Sequence, residues 1–490
     1  MSSISLDNFN TTIVANSSQR LDNSLEHPRH NDKIFSFEKL RTLAIDTAKV
    51  FDYSRETAHR TALDVFGFDI PEMIAGACRN FYSFSEASLG ACKTVMITIT
   101  PNIMKFVAKT VSSFLLPKEE QKDYQHYMRF KMEELDNMET FKEGVTRVLD
   151  EEVKDTHRVA SLYEELGKNF KAALSIKNAE EIQKFCINFE PTEAKRSNIY
   201  KLKKNTMLIE SLIESMFWGS YGLVLRFFRK NILGQNRFTG TKSYLSDEDS
   251  KKLGEVKEFN ILQKFGSALA LFIAPIFTAG SFKILELNKG KIKSGSILEM
   301  FKKGMDTEHG FYPKIGLLAV MTMIPSWLGK LSAAQGPYET VEKLLTISTV
   351  VPSWWLGQRL TNGLLAKKFD KELSEKFGVE RGIILEPKYL QKSKPTNFRE
   401  WLAYTFPNPA RYHHVNESSK KYNNRELSEQ AKLAHAKTLY GGFALHSTLV
   451  FLITMLVNQF TKLRVMQALK SDLTKQSGSL IKKPPALDRA

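Results

Sequence analysis

Residues 438–461, TLYGGFALHSTLVFLITMLVNQFT, run for twenty-four positions without Asp, Glu, Lys or Arg, between Lys437 and Lys462. A water-soluble core helix has little use for such a length, whereas a helix needs about 20 apolar residues to cross a hydrocarbon layer of about 30 Å. The stretch therefore predicts a transmembrane helix. It sets the expected fold class: all-α, a multi-span integral membrane protein with a polar N-terminal helical domain.

A second stretch, FGSALALFIAPIFTAGSF at 265–282, is uncharged over eighteen positions and ends at Lys283. Its central Pro275 would cost a soluble helix about 3 kcal/mol, but membrane helices tolerate such kinks. A third feature is a repeat. LLAVMTMIPSW at 317–327 returns 27 residues later as LLTISTVVPSW at 344–354, with six of eleven positions identical. Lys314 and Lys330 bracket fifteen uncharged residues, and Lys343 and Arg359 bracket fifteen more. Fifteen helical residues reach only about 22 Å, so each copy alone falls short of the bilayer.

The segments 315–329 and 344–358 are expected to form a packed antiparallel pair, kinked at Pro325 and Pro352. Trp327, Trp354 and Trp355 would lie at the headgroup level, with Lys330 and Lys343 at one interface. Residues 205–225, NTMLIESLIESMFWGSYGLVL, are also long enough to cross. They carry Glu210 and Glu214, four apart and hence on one helix face. Carboxylates at membrane depth are costly and usually face a protein interior or a water path. These two are the expected substrate or ion path. Four or five spans follow.

The remainder is polar. Residues 1–35 lack the features of a signal peptide or presequence and are expected to be a disordered tail. Residues 36–117 read as short helices, the last opening at Thr100 as cap with Pro101 in its first turn, amphipathic and suited to the interface. Residues 118–204 form a charged amphipathic region. There Met128, Met132, Leu135, Met138, Phe141, Val145, Val148, Leu149 and Val153 make a stripe at three- and four-residue steps, bent near Gly144. Such a face serves as core, or as a surface for a protein partner or self-association. Residues 359–437, with nine acids against sixteen Lys and Arg, read as a basic extramembrane helical loop, and 462–490 as a basic C-terminal tail.

Across 490 residues the net charge is +16, the apolar fraction 42% and the mean hydropathy −0.28. The basic residues come in scattered pairs near apolar segments, which favours anionic lipid headgroups over nucleic acid as partner. The basic tail points to a cytosolic C-terminus. Three widely spaced cysteines predict free thiols.

Residues 234–243, GQNRFTGTKS, miss the phosphate-loop spacing, and Tyr412-His413-His414 lacks companions at metal-ligand spacing. No catalytic residue, metal or cofactor is expected. The first functional expectation is a non-enzymatic membrane scaffold or organising protein. The alternatives are a small-solute, ion or lipid transporter using Glu210 and Glu214, and an interfacial lipid-modifying enzyme.

Overall fold

A computed structural model describes residues 37–53, 64–165, 167–234, 261–288, 292, 296–308, 310–353, 357–386, 389–390 and 398–481. These are overwhelmingly helical, with one two-residue β-hairpin, Thr307–Glu308 against Tyr312–Pro313. The expected tail at 1–35, the tryptophans Trp354 and Trp355, and nearly all of the phosphate-loop-like stretch lie outside the described residues.

In chain order the helices are α1 (Phe37–Tyr53), α2 (Ile70–Ala77), α3 (Phe81–Met96), α4 (Thr100–Leu115), α5 (Tyr124–Tyr127) and α6 (Met138–Arg147). Next come α7 (Val153–Glu165), α8 (Asn169–Ile187), α9 (Glu193–Gly219), α10 (Tyr221–Phe227), α11 (Ile261–Leu287) and α12 (Ile297–Gly304). The last are α13 (Ile315–Leu318), α14 (Ile324–Ser332), α15 (Gly336–Pro352), α16 (Gln358–Phe377), α17 (Phe398–Thr405), α18 (Tyr412–Lys420) and α19 (Arg425–Ile481).

The stripe at 128–153 does not lie on one long helix. Asn137 caps α6 by accepting from Thr140 N at 2.9 Å, and a π-turn at Val148–Glu152 joins α6 to α7. Gly144 is buried inside α6, four residues before that π-turn. Met128, Leu135, Phe141 and Val148 are fully buried and pack with α4 and α9 in the main core. The stripe is therefore interior, and the partner surface it was expected to offer is covered by the chain's own helices.

One buried ion pair ties this domain to the rest. Lys203 of α9 donates to Asp306 Oδ1 at 2.8 Å and to the Phe130 carbonyl, while Asp306 Oδ2 accepts from Met132 N at 2.8 Å. Burial lowers the Lys203 ammonium below its ordinary range, and Asp306 opposes that shift.

Three helices are long and apolar enough to cross a membrane: Gln263–Leu287, Ile315–Ser332 and Arg425–Ala468. They contain the expected stretches 265–282, 315–329 and 438–461. The stretch 205–225 is not among them, because its helix is interrupted between Gly219 and Tyr221 and carries two carboxylates.

The paired-segment expectation is corrected in three respects. Residues 315–332 pack on α9, α10 and α11, whereas α15 packs chiefly on α19, so the two copies are not each other's main partner. Helix α15 begins at Gly336, eight residues before the expected boundary, and draws Glu339 and Lys343 into the bundle. Trp327 is half-buried and faces an internal cavity.

The prolines fall at different places in their helices. Pro275 lies inside α11, Pro325 follows a π-turn in the first turn of α14, and Pro352 is the last residue of α15. Residues 359–437 are not a plain loop. Ala366, Leu373, Ile384, Val415, Leu427 and Ala431 make a second core, and Asp370 accepts from Gly382 N and Ile384 N at 3.0 and 2.8 Å.

The closest backbone-to-backbone approach at a glycine among the described residues is where the end of α9 and the start of α10 cross α11 and α14. A Cβ on Gly219 would lie 2.3 Å from the Ala270 carbonyl oxygen, and one on Gly222 would lie 2.1 Å from that of Gly329. Backbone meets backbone there, so no side chain can yield. Gly222→Val should cost about 3 kcal/mol, the upper range for overpacking. Gly280 in α11 has nothing within 4 Å of an added Cβ, so Gly280→Ala is the matched control. Thermal unfolding of both variants in detergent checks this, and equal melting temperatures would mean the crossing is looser than described.

Candidate functional site

The N-terminal short helices supply six charged groups to the site, Asp64, Asp69, Glu72, Arg79, Glu86 and Lys93, of which the two aspartates are buried. Asn80 caps α3 by accepting from Ser83 N at 2.8 Å, which turns the chain back on α2. Asp69 and Glu72 are one turn apart, and Glu86 and Lys93 are two turns apart on α3, so each pair shares a face. Around them converge α10 with its following π-turn at Phe228–Ile232, α14, α15 and α19.

The interior of this bundle carries a chain of acidic and basic groups. At one end, Lys93 Nζ donates to Ser326 Oγ at 2.6 Å and lies 4.8 Å from the Tyr221 ring centre. Asp64 and Asp69 are buried beside it. In the middle, Lys330 pairs with Glu72 at 3.1 Å. At the other end, the Arg229 guanidinium bridges two carboxylates, reaching Glu86 at 2.6 and 2.7 Å and Glu339 at 2.5 and 3.3 Å. Glu339 also pairs with Lys343 at 2.5 Å, and Arg79 holds Glu342 through two bonds of 2.7 and 2.9 Å while donating to Asn458 at 3.2 Å.

Two small cavities open along this chain. One, of about 110 Å³, is lined by Asp69, Lys93, Trp218, Ser326 and Trp327. The other, of about 90 Å³, is lined by Arg79, Glu86, Glu342, Lys343 and Asn458. Glu72, Gly90, Tyr221, Lys330 and Thr346 line both, so the Glu72–Lys330 pair stands at the partition between them. A larger cleft of about 760 Å³ lies by the N-terminal domain, and several of its charged groups are ion-paired, as in Arg147–Glu134 and Lys302–Asp136.

Of the expected path residues, Glu210 and Glu214 are both buried, on α9. Glu214 accepts from Thr100 Oγ1 at 3.0 Å and from Trp218 Nε1. Thr100 is thus not the helix cap; that position belongs to Ile99, and the hydroxyl serves the carboxylate instead. Glu210 and Glu214 are also hydrogen-bonded to each other. Lys330 and Lys343, expected at a membrane interface, sit inside the ion-pair chain.

His414 bonds the Gly382 carbonyl and Ser418, each at 3.2 Å, and no group of three or more His, Cys, Asp or Glu among the described residues could hold a metal ion. The cysteines are free, and burial pushes the Cys186 thiol up to about 11. No known protein family, curated protein or solved structure matches the chain. The reading of the site therefore rests on its own residues.

The sequence reading missed Asp64, Asp69, Glu72, Arg79, Glu86, Lys93, Arg229, Glu339 and Glu342. A signal was present. Glu72, Arg79, Glu86 and Lys93 recur at every seventh position, with alternating sign, in a stretch otherwise nearly free of charge.

Arg229 is the tightest node. Arg229→Met should remove the cation shared by Glu86 and Glu339, leaving Glu339 with Lys343, and cost about 3 kcal/mol, the low end for breaking a buried pair. Arg229→Lys keeps the charge but loses the planar fork that spans both partners, so it should recover only part of the loss. Thermal melts of the two variants decide it; a methionine variant as stable as the parent would make the bridge energetically idle.

Proposed function

We propose that the chain is an integral membrane protein that moves a proton or small cation through the ion-pair chain, a transporter rather than a scaffold. The observation that carries this reading is the pair of cavities abutting at Glu72–Lys330. An ion pair between two small cavities is a gate in form: parting Lys330 from Glu72 would open one side of the partition that Gly90, Tyr221 and Thr346 complete. Their volumes suit an ion with a few waters and no large solute.

Membrane placement is supported by the outer surface as well as by the three apolar helices. Ile209 and Phe217 on α9, Phe227 on α10, Ile276 on α11, and Leu452 and Leu456 on α19 are all exposed. In water such a belt would be an aggregation liability; in lipid it is the expected outer face. Helix α9 shares the belt although its carboxylates keep it out of the three.

Six carboxylates (Asp64, Asp69, Glu72, Glu86, Glu339, Glu342) face six basic groups (Arg79, Lys93, Arg226, Arg229, Lys330, Lys343) along the chain, so a proton or small cation passing through would exchange among groups already close to balance. The exposed Lys462 and Arg464 suit anionic headgroups at a cytosolic membrane face.

Two measurements test the proposal. After alkaline carbonate washing the protein should stay in the membrane pellet; release as a folded soluble protein would end the membrane reading. In liposomes loaded with a pH dye, the purified protein should raise proton or cation flux above that of protein-free vesicles. Glu72→Gln and Lys330→Met should each alter that flux at least about tenfold, since each removes one side of the partition. Wild-type flux equal to that of protein-free vesicles would refute transport.

A further inference from the structure

Glu210 and Glu214 stand one turn apart on α9, share a face and are both fully buried. Their side chains are hydrogen-bonded to each other. Glu214 also accepts from the Thr100 hydroxyl of α4 at 3.0 Å and from the Trp218 indole. An ionised carboxylate can only accept, so a hydrogen bond between two carboxyl groups requires a proton on one of them. The two further donors on Glu214 mark it as the acceptor. The proton is then on Glu210.

The basic groups of the surrounding helices are engaged elsewhere or face outward. On α9 itself, Lys203 is bound to Asp306 and Lys204 to Glu286 of α11. Lys105 and Lys109 of α4, and Lys264 and Lys283 of α11, are exposed. Lys330 of α14 pairs with Glu72, and the π-turn Ala319–Met323 before α14 is uncharged. Arg226 of α10 bonds the Ser332 carbonyl. The charges of α6 and of the turn Met132–Leu135 meet the first turns of α9, where Arg196 bonds the Asp136 carbonyl at 3.0 Å. Two carboxylates in contact, buried and without a counter-ion, cannot both stay ionised.

We infer that Glu210 and Glu214 are a binding site for a single proton, with Glu210 the donor and Glu214 the acceptor. With the proton in place, Glu214 is a carboxylate held by three donors: Thr100, Trp218 and Glu210. Removing it sets a second negative charge against Glu214 and takes away one of those donors. Trp218 connects the pair to the path, since its ring lines the cavity of about 110 Å³ that holds Asp69 and Lys93. The inference rests on the transport reading only for its purpose, and it names the proton as the ion this pair would hold. The bound proton itself is detected without flux.

The test uses full-length protein in detergent. At about pH 7 ordinary Asp and Glu side chains are ionised, so the infrared carbonyl stretch of a protonated carboxyl stands apart from them. Glu210→Gln matches the parent in volume and can donate an amide N–H to Glu214; it should delete one such band. Glu214→Gln should keep the band at a shifted frequency, because an amide oxygen is a weaker acceptor and Glu210 still has no base beside it. An unchanged spectrum in Glu210→Gln would overturn the inference. So would a band lost in Glu214→Gln and kept in Glu210→Gln, which would place the proton on the other residue. Thermal melts give a second reading. A proton kept by the folded chain and lost by the unfolded one lowers stability as pH rises above the ordinary carboxylate range. From about pH 5 to about pH 8 the parent should therefore lose melting temperature relative to Glu210→Gln, and parallel curves would overturn the inference. A band present in protein that shows no flux in liposomes would end the transport reading and leave the proton site standing.

Discussion

Direct backbone contact between helices at Gly219, Gly222, Ala270 and Gly329 sets the geometry of everything around it. With an added Cβ only 2.1 to 2.3 Å from a carbonyl oxygen, α9, α10, α11 and α14 approach as closely as peptide groups allow. In an apolar solvent the hydrophobic effect gives helices little reason to associate, and close dispersive packing through small residues takes its place. The residues beside these glycines are thereby aimed. Trp218, just before Gly219, is turned to Glu214; Tyr221, just before Gly222, lies under Lys93; Lys330, just after Gly329, meets Glu72. Both the carboxylate pair and the ion-pair chain hang from the same crossing.

Buried ion pairs are poor evidence for stability as such. Taking each ion from water costs several kcal/mol, and apolar side chains of similar volume often serve a fold equally well. A bundle that places Arg79, Arg229, Lys330 and Lys343 against carboxylates in its interior accepts that cost four times over. The guanidinium forks of Arg79 and Arg229 recover part of it through paired bonds, which fix orientation. Lys330 holds Glu72 through one bond at 3.1 Å and is the pair with least geometric constraint, where two cavities meet. The chain is thus held by paired bonds at one end and by a single bond in its middle.

How much could be read from the sequence follows from which physical signals are local. The runs at 265–282 and 438–461 were legible because an uncharged stretch is a property of the stretch itself, and both lie in long apolar helices. The carboxylates Glu210 and Glu214 were legible as a pair because i to i+4 spacing fixes a shared face. What Lys330 and Lys343 do was not legible. A lysine ending an apolar segment reads as an interface anchor, and only tertiary packing reveals Glu72 and Glu339 opposite. The stripe at 128–153 was ambiguous for the converse reason, since a core face and a docking face have the same periodicity. Expecting 344–358 as a unit failed because charge was taken to end a buried helix. Glu339 and Lys343 neutralise each other and Arg229 in place, so α15 runs inward through them.

Trp218 joins the two polar systems. Its indole nitrogen donates to Glu214, and its ring lines the cavity that holds Asp69 and Lys93 and is closed by Lys330. Any change in charge at Glu210 and Glu214 alters how strongly Glu214 holds that indole, because a hydrogen bond to a carboxylate weakens as the charge is neutralised. A weaker bond frees the ring, and the ring is a wall of the cavity. The charge state of the carboxylates and the shape of the cavity are linked through this one side chain, and by thermodynamic reciprocity whatever changes one must bear on the other.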